Sequence, residues 1–246
     1  MEKDNNIIKV IGVSKRFGEQ EVFKGLSLSV RKGEIFVIMG GSGTGKSVLL
    51  SMMVGLNTPD EGKIIIDDME ITKFKKQKEW TSLWLRVGFL FQGSALFDSM
   101  NVEENISFPL YVHSDLKEKE IKARVKDLLN MVGLPGIEKK KISELSGGMQ
   151  KRVALARTIA LNPNIVFYDE PTTGLDPITS DNIGLLIRDL KHRLSNTSVV
   201  VTHDVRLSYR IADRMALLHD GRVTAIGTVS EMKAKRDPLV RRFLFG

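Results

Sequence analysis

Gly40-Gly41-Ser42-Gly43-Thr44-Gly45-Lys46-Ser47 is the stretch whose reading decides the fold. It fits the spacing G-x-x-x-x-G-K-[ST], and its flanks supply the context that this spacing requires. The apolar run Ile35-Phe36-Val37-Ile38-Met39 before it has the length and character of a buried strand. Val48-Leu49-Leu50-Ser51-Met52-Met53 after it continues as a helix. Strand, glycine loop and helix together predict a phosphate-binding loop. Its glycines let the backbone turn its N–H groups onto phosphates, and the helix start adds the positive end of a dipole. Lys46 is expected to reach the outer phosphates and the Ser47 hydroxyl to sit on Mg²⁺, which predicts a nucleoside triphosphate site.

Working outward, residues Ile7 to Val30 read as strands. Ile7–Ile11 leads to a turn at Gly18-Glu19, and Val22 to Val30 follows with partial alternation, as a small antiparallel sheet beside the nucleotide. Phe17 lies on it, where its ring can either pack or stack on a base. Gly62 to Asp68 reads as a strand running into a turn, and Arg86 to Gln92 as a buried strand ending in a polar residue. From about 93 to 161 the pattern is helical, with Ile121, Val125, Leu128, Leu129 and Val132 at helical spacing and Pro135-Gly136 as a break. A further helix starts after Ser146, with Met149, Val153, Ala156 and Ala160 along one face.

The rest alternates strand and helix: strands at Ile165–Tyr168, Ser198–Thr202 and Met215–Leu218, helices at about Ile178–Leu194 and Val205–Ile211. Such alternation predicts a mainly parallel sheet covered on both sides. One α/β domain over residues 1–246 is expected, with a helical insertion at about 99–143 and a C-terminal tail at about 229–246.

Five further motifs follow the glycine loop. Gln92 closes a strand, where open α/β sheets aim side chains into the ligand crevice. Leu145-Ser146-Gly147-Gly148-Met149-Gln150 opens a helix, offering a hydroxyl and free N–H groups at its positive end. Ile165-Val166-Phe167-Tyr168-Asp169-Glu170 is an apolar strand ending in two carboxylates. Neighbouring strand residues point to opposite faces, so the two divide their roles. Asp169 is assigned to the metal side and Glu170 to polarising the attacking water. Gly174-Leu175-Asp176 forms a turn, and Val199 to Asp204 is a buried strand whose polar end carries His203.

Taken together, Gly40 to Ser47, Gln92, Leu145 to Gln150, Ile165 to Glu170, Asp176 and His203 resemble the ATPase subunit of an ABC transporter over essentially the whole chain. The resemblance implies a P-loop NTPase with a RecA-like, mainly parallel core, an antiparallel β subdomain and an α-helical subdomain. It implies Mg-dependent ATP hydrolysis in a head-to-tail homodimer, with two ATP molecules trapped between each phosphate loop and the partner's Ser146-Gly147-Gly148. Carried over by position, Phe17 stacks on adenine, Gln92 senses Mg²⁺, water and the membrane partner, Glu170 is the general base, His203 contacts the γ-phosphate and Asp176 links the two copies. Met149 departs from the pattern, standing where many relatives have glutamine, with Gln150 one step later.

Within that family, the segment from Phe91 through Gly93 to Val102, continuing to Phe108-Pro109-Leu110, is similar to the Mla-type phospholipid-transport ATPases that work with MCE proteins. So are Leu145 to Met149, Asp176-Pro177-Ile178-Thr179 and the ending Asp237 to Leu244. These resemblances imply a permease partner, MCE-type substrate-binding subunits and small accessory subunits, and a peripheral position on the cytoplasmic face of the inner membrane. The alternatives are an importer ATPase for a polar solute such as an amino acid, and a soluble, non-transport ABC ATPase.

Bulk properties agree. The composition, 42% hydrophobic and 27% charged, is that of a globular protein. No apolar run approaches the roughly 18 residues of a membrane helix. There is no cysteine, which excludes disulfides and thiolate metal sites. The net charge of +7 comes in short clusters, Lys73 to Lys78, Lys139 to Lys141 and Lys233 to Arg242, without interleaved aromatics. They read as solvated faces rather than as a nucleic-acid surface.

Overall fold

The structure is a computed structural model that describes residues 5–246. Two sheets organise it. Strands β1 (Asn6–Phe17), β2 (Gln20–Arg31), β4 (Glu61–Ile66) and β5 (Met69–Glu70) form an antiparallel sheet in the order β2-β1-β4-β5. The second sheet runs β10-β9-β3-β8-β7-β6, built from β3 (Ile35–Met39), β6 (Val87–Leu90), β7 (Ile165–Asp169), β8 (Thr197–Thr202), β9 (Arg214–His219) and β10 (Arg222–Thr228). Its pairings are parallel except at the β10 edge.

Alternation along the central strands separates two cores. Phe36, Ile38, Phe167, Val199 and Val201 face the antiparallel sheet and α1 (Lys46–Met53). Ile35, Val37, Met39, Val166, Tyr168 and Val200 face the helices of the opposite layer. Strands buried on both faces read as unbroken apolar runs, which is why these were visible in sequence. The helical segment holds α3 (Val102–His113) and α4 (Glu118–Met131), followed by α5 (Gly147–Thr158). The predicted stripe from Ile121 to Val132 is buried as expected.

The expectations need correction where burial is weak or the ladder ends early. β1 extends to Phe17 because pairing such as Val13↔Leu26 and Arg16↔Glu21 carries polar residues into the hairpin. The strand expected through Gln92 stops at Leu90. Beyond it, Ser94 and Ala95 take left-handed backbone angles and turn the chain out of the ladder. Helix α2 (Gln77–Trp84) was not anticipated; it buries only Leu83, too little to print a period. β10 escaped because its inward residues are the small Ala225 and Gly227, while Ile226 faces out. α6 (Pro177–Leu194) and α7 (Val205–Ile211) lie where predicted. The tail folds as α8 (Val229–Ala234) and α9 (Pro238–Phe245), and Val240 and Leu244 are buried in this chain's own core.

Candidate nucleotide site

The glycine loop joins β3 to α1, and Gly45 is the helix's N-cap with φ 92°. A Cβ there would come within 2.6 Å of Val22 Cγ1 and 2.8 Å of Phe23 Cζ, so both backbone angle and space demand glycine. The loop borders a cleft of about 810 Å³ lined by Phe17, Gln20, Val22, Gly41, Ser42, Gly43, Gly45, Lys46, Ser47, Val48, Gln92, Glu170 and His203. That volume lies in the range of small-molecule sites, about 300–1,000 Å³. Gly40 and Thr44 shape the loop from behind: a Cβ on Gly40 would meet Thr44 Oγ1 and the Leu218 carbonyl at 2.7 Å, and the Thr44 hydroxyl donates to the Gly41 carbonyl at 2.9 Å.

The polar groups of the cleft engage one another. Lys46 is 6% exposed and its Nζ donates to the carbonyls of Gly40 and Gly41, both at 2.9 Å. It stands 3.7 Å from Glu170 Oε1. The Ser47 hydroxyl donates to Asp169 Oδ1 at 2.8 Å. Alternation along β7 explains that contact, because Asp169 shares the face of Ile165 and Phe167, which is the α1 side. Burial raises the Asp169 carboxyl above its usual range, against the opposing pull of the Ser47 hydrogen bond.

Glu170 lies one residue beyond the strand with φ 45°, a left-handed conformation that a glutamate rarely adopts. Its N–H still donates to the Val201 carbonyl of β8, which holds the turn in place. The expected division of roles between the two carboxylates therefore rests on this turn as well as on strand alternation. Thr173 and Thr202 hydroxyls donate to Glu170 Oε2 at 3.2 and 3.4 Å. His203 Nδ1 lies 3.0 Å from the same oxygen, a contact that requires the proton on Nδ1. The expected residues Lys46, Glu170 and His203 thus meet at one carboxylate.

Phe17 is 45% exposed at the hairpin tip, with Lys15 Nζ 5.1 Å from its ring centroid. Gln92 is also exposed, and its carbonyl is held by the Lys151 ammonium. Lys151, Thr173 and Thr202 were not singled out from sequence. A lysine in a helix carries no mark of being buried, and threonines near a motif carry no mark of their partner.

Ser146, Gly147, Gly148 and Asp176 do not join this cleft. They line a second concavity of about 430 Å³, with Leu134, Met149, Gly174 and Leu175. Ser146 caps α5, but its Oγ accepts from Met149 N–H at 3.4 Å, a long bond that commits the hydroxyl only weakly. Gly148 must lack a Cβ, which would meet Thr179 Cγ2 at 2.7 Å. Asp176 caps α6 through the N–H groups of Ile178 and Thr179, each at 3.0 Å, and bonding from Thr179 holds its carboxyl below the usual range. Gln150, displaced by Met149, donates to the carbonyls of Ile142 and Leu145 and ties the turn before the helix.

Comparison with known proteins agrees with this geometry. The family model described as ABC transporter matches residues 23–173. The chain is 40% identical over 239 residues to the probable ribonucleotide transport ATP-binding protein mkl of Mycobacterium leprae, covering 97% of this chain and 69% of that one. It is 39% identical to protein TRIGALACTOSYLDIACYLGLYCEROL 3, chloroplastic, of Arabidopsis thaliana (100% and 76% covered). It is 41% identical to the intermembrane phospholipid transport system ATP-binding protein MlaF of Escherichia coli K12 (98% and 89%). Among solved structures, cbiO1 of Clostridium perfringens, part of the ABC transporter complex cbiONQ, matches with TM-score 0.86 and 31% identity, covering 94% of this chain and 92% of its own. The ATP-binding cassette MJ0796, dimeric and bound to ADP and phosphate, matches with TM-score 0.81 and 32% identity (90% and 98%). With its phosphate loop, acidic strand end and serine–glycine helix start so arranged, this chain belongs to the ABC transporter family and is an ATPase of that family.

Proposed function

We propose that the chain is the energy-coupling ATPase of a transporter that moves phospholipid through a separate membrane permease. The observation that carries the motor part of this reading is the split of the expected site between two concavities of one chain. Phosphate loop, Gln92, Glu170 and His203 line one; Ser146, Gly147, Gly148 and Asp176 line the other. A second copy placed head to tail brings its Ser146 loop onto the first copy's phosphate loop, and two ATP molecules are enclosed.

In that assembly Phe17 stacks on adenine and the loop from Gly40 to Gly45 cradles the phosphates. Lys46 leaves its carbonyls for the outer phosphates. Ser47, Asp169 and Gln92 offer hard oxygen donors, and the 2.8 Å approach of the Ser47 and Asp169 oxygens fits a small hard cation such as Mg²⁺. Mg²⁺ held by these residues would supply positive charge against the negative charge of the transferring phosphoryl group. Glu170 accepts a proton from the attacking water as its oxygen bonds the γ-phosphorus, while the bond to the β-phosphate oxygen breaks and leaves ADP and phosphate. His203 keeps the Glu170 carboxylate oriented and faces the γ-phosphate.

The phospholipid part rests on the identity to the Escherichia coli intermembrane phospholipid transport protein over nearly the whole chain. A groove of about 490 Å³ beside Gln92, lined by Trp84, Phe91, Phe97, Phe108, Pro109 and His113 among others, supports a permease partner. Phe91, Phe97 and Phe108 are each more than two-fifths exposed there, which marks a protein-binding surface. The chain itself then sits peripherally on the cytoplasmic membrane face, with an MCE-type subunit elsewhere in the complex. No helix among the described residues is long and apolar enough to cross a membrane.

Purification of the tagged chain from its own membranes in mild detergent, with mass spectrometry of proteins and lipids, tests the reading. A polytopic permease, an MCE-type protein and bound phospholipid are expected. A permease with a solute-binding protein overturns the lipid assignment, and recovery with nucleic acid or assembly factors overturns transport altogether.

A further inference from the structure

Helix α5 begins at Ser146's cap and runs under the loop that follows Gln92, and it grips that loop at two heights. Near its start, Lys151 donates from Nζ to the Gln92 carbonyl. Six residues on, about 9 Å along the axis, Arg157 donates to the carbonyls of Ser94 at 3.0 Å and Ala95 at 2.8 Å. The Arg157 guanidinium also lies 5.6 Å from the Phe97 ring centroid and so reaches the aromatic groove.

Lys151 is the unusual member. It is 5% exposed, and no carboxylate lies within ion-pair distance of it among the described residues. A buried ammonium without its hydrogen bond is costly, so the Gln92 carbonyl is its anchor. Burial lowers the Lys151 pKa, and the Asp169 charge opposes that shift. The bond holds Gln92 by its backbone and leaves the side-chain amide free to turn into the cleft.

We propose that Lys151 is the positioning residue that makes the Ser146 helix and Gln92 move as one body. Gln92 borders the nucleotide of its own chain, whereas Ser146 borders the nucleotide of the second copy; the inference rests on the head-to-tail reading for that second contact. A rigid link between them lets each nucleotide report on the other, and Arg157 extends the same body to the groove. Coupling of this kind needs an element that both sites bias, and α5 with its loop is that element.

The test uses hydrogen exchange by mass spectrometry on the full chain, with steady-state kinetics beside it. In the wild type, adding ATP with Mg²⁺ should change exchange in 92–97 and in 146–151 together. In Lys151→Met, exchange over 92–97 should rise and turnover should fall about tenfold or more, the loss expected for a hydrogen bond to a charged group. KM for ATP should stay within about twofold, because the phosphate loop is untouched. Lys151→Arg, which keeps a donor and a charge, should restore both. The proposal is overturned if ATP alters one segment without the other in the wild type, a result that needs no variant to fold. It is overturned equally if Lys151→Met turns over at the wild-type rate or loses only KM. A wild-type chain that hydrolyses no ATP and never dimerises would instead remove the reading beneath it.

Discussion

Glu170→Gln is the perturbation whose consequences the structure specifies most fully. The carboxylate lies 3.7 Å from Lys46 Nζ, with both side chains less than a tenth exposed. At an effective dielectric near 20, that separation corresponds to a gross attraction of about 4 kcal/mol. Desolvation of the two charges offsets much of it, leaving roughly 1–2 kcal/mol of net hold on Lys46. Glutamine removes that hold and also removes a negative charge from beside the γ-phosphate. ATP affinity should therefore rise about 5- to 30-fold. The amide oxygen can still accept from Thr173 and Thr202, and the residue keeps its left-handed turn, so the fold should persist. Loss of the proposed base should slow hydrolysis by about 10²–10⁴, or roughly 3–5 kcal/mol of barrier. Titration calorimetry with ATP, phosphate release and gel filtration read the three quantities. Turnover within tenfold of wild type, weaker ATP binding, or a monomer in ATP and Mg²⁺ would each refute the reasoning.

Ser146→Ala should cost less than about 1 kcal/mol of thermal stability, because the cap bond it removes is already long at 3.4 Å, while ATP-driven dimerisation and turnover fall sharply; a large drop in melting temperature with normal turnover would reverse that assignment. Phe17→Ala should raise KM for ATP by about 5- to 150-fold, the worth of one base–aromatic stack, with kcat little changed, as steady-state assays would show. Glu34 is buried, accepts from Arg31 N–H at 2.7 Å and pairs with Arg214 at 2.9 Å, yet desolvation raises its pKa above the ordinary 4.5. A raised folded-state pKa means that its contribution is fully present below 4.5 and is lost as pH rises through the folded value. The melting temperature of Glu34→Gln relative to wild type should accordingly improve from pH 4 to 7, and a relative decline over that span would contradict the sign.

Much of the fold was legible because its signals are local. The runs 35–39, 165–168 and 199–201 are apolar throughout, and only strands covered on both sides need that. Glycines at a fixed spacing before Lys46-Ser47 could be read for the same reason, since Gly45 must satisfy its own backbone angle. Where a segment buries one residue, as α2 buries Leu83, or turns small residues inward, as β10 does, the pattern falls below what sequence can carry.

Sequence by itself determined the phosphate loop, the acidic strand end and the serine–glycine helix start, because each is a short stretch whose residue types answer to chemistry within a few bonds. Tertiary structure alone decided the rest. It brought Lys46, Glu170 and His203 to one carboxylate and set Ser47 against Asp169 across 122 positions of chain. It also left Ser146 and Asp176 in a concavity of their own, buried Lys151 against the Gln92 carbonyl, and turned the C-terminal helix onto its own core. Those outcomes depend on which faces meet when two sheets and their helices pack, and the energy of such a meeting belongs to pairs of residues far apart in sequence.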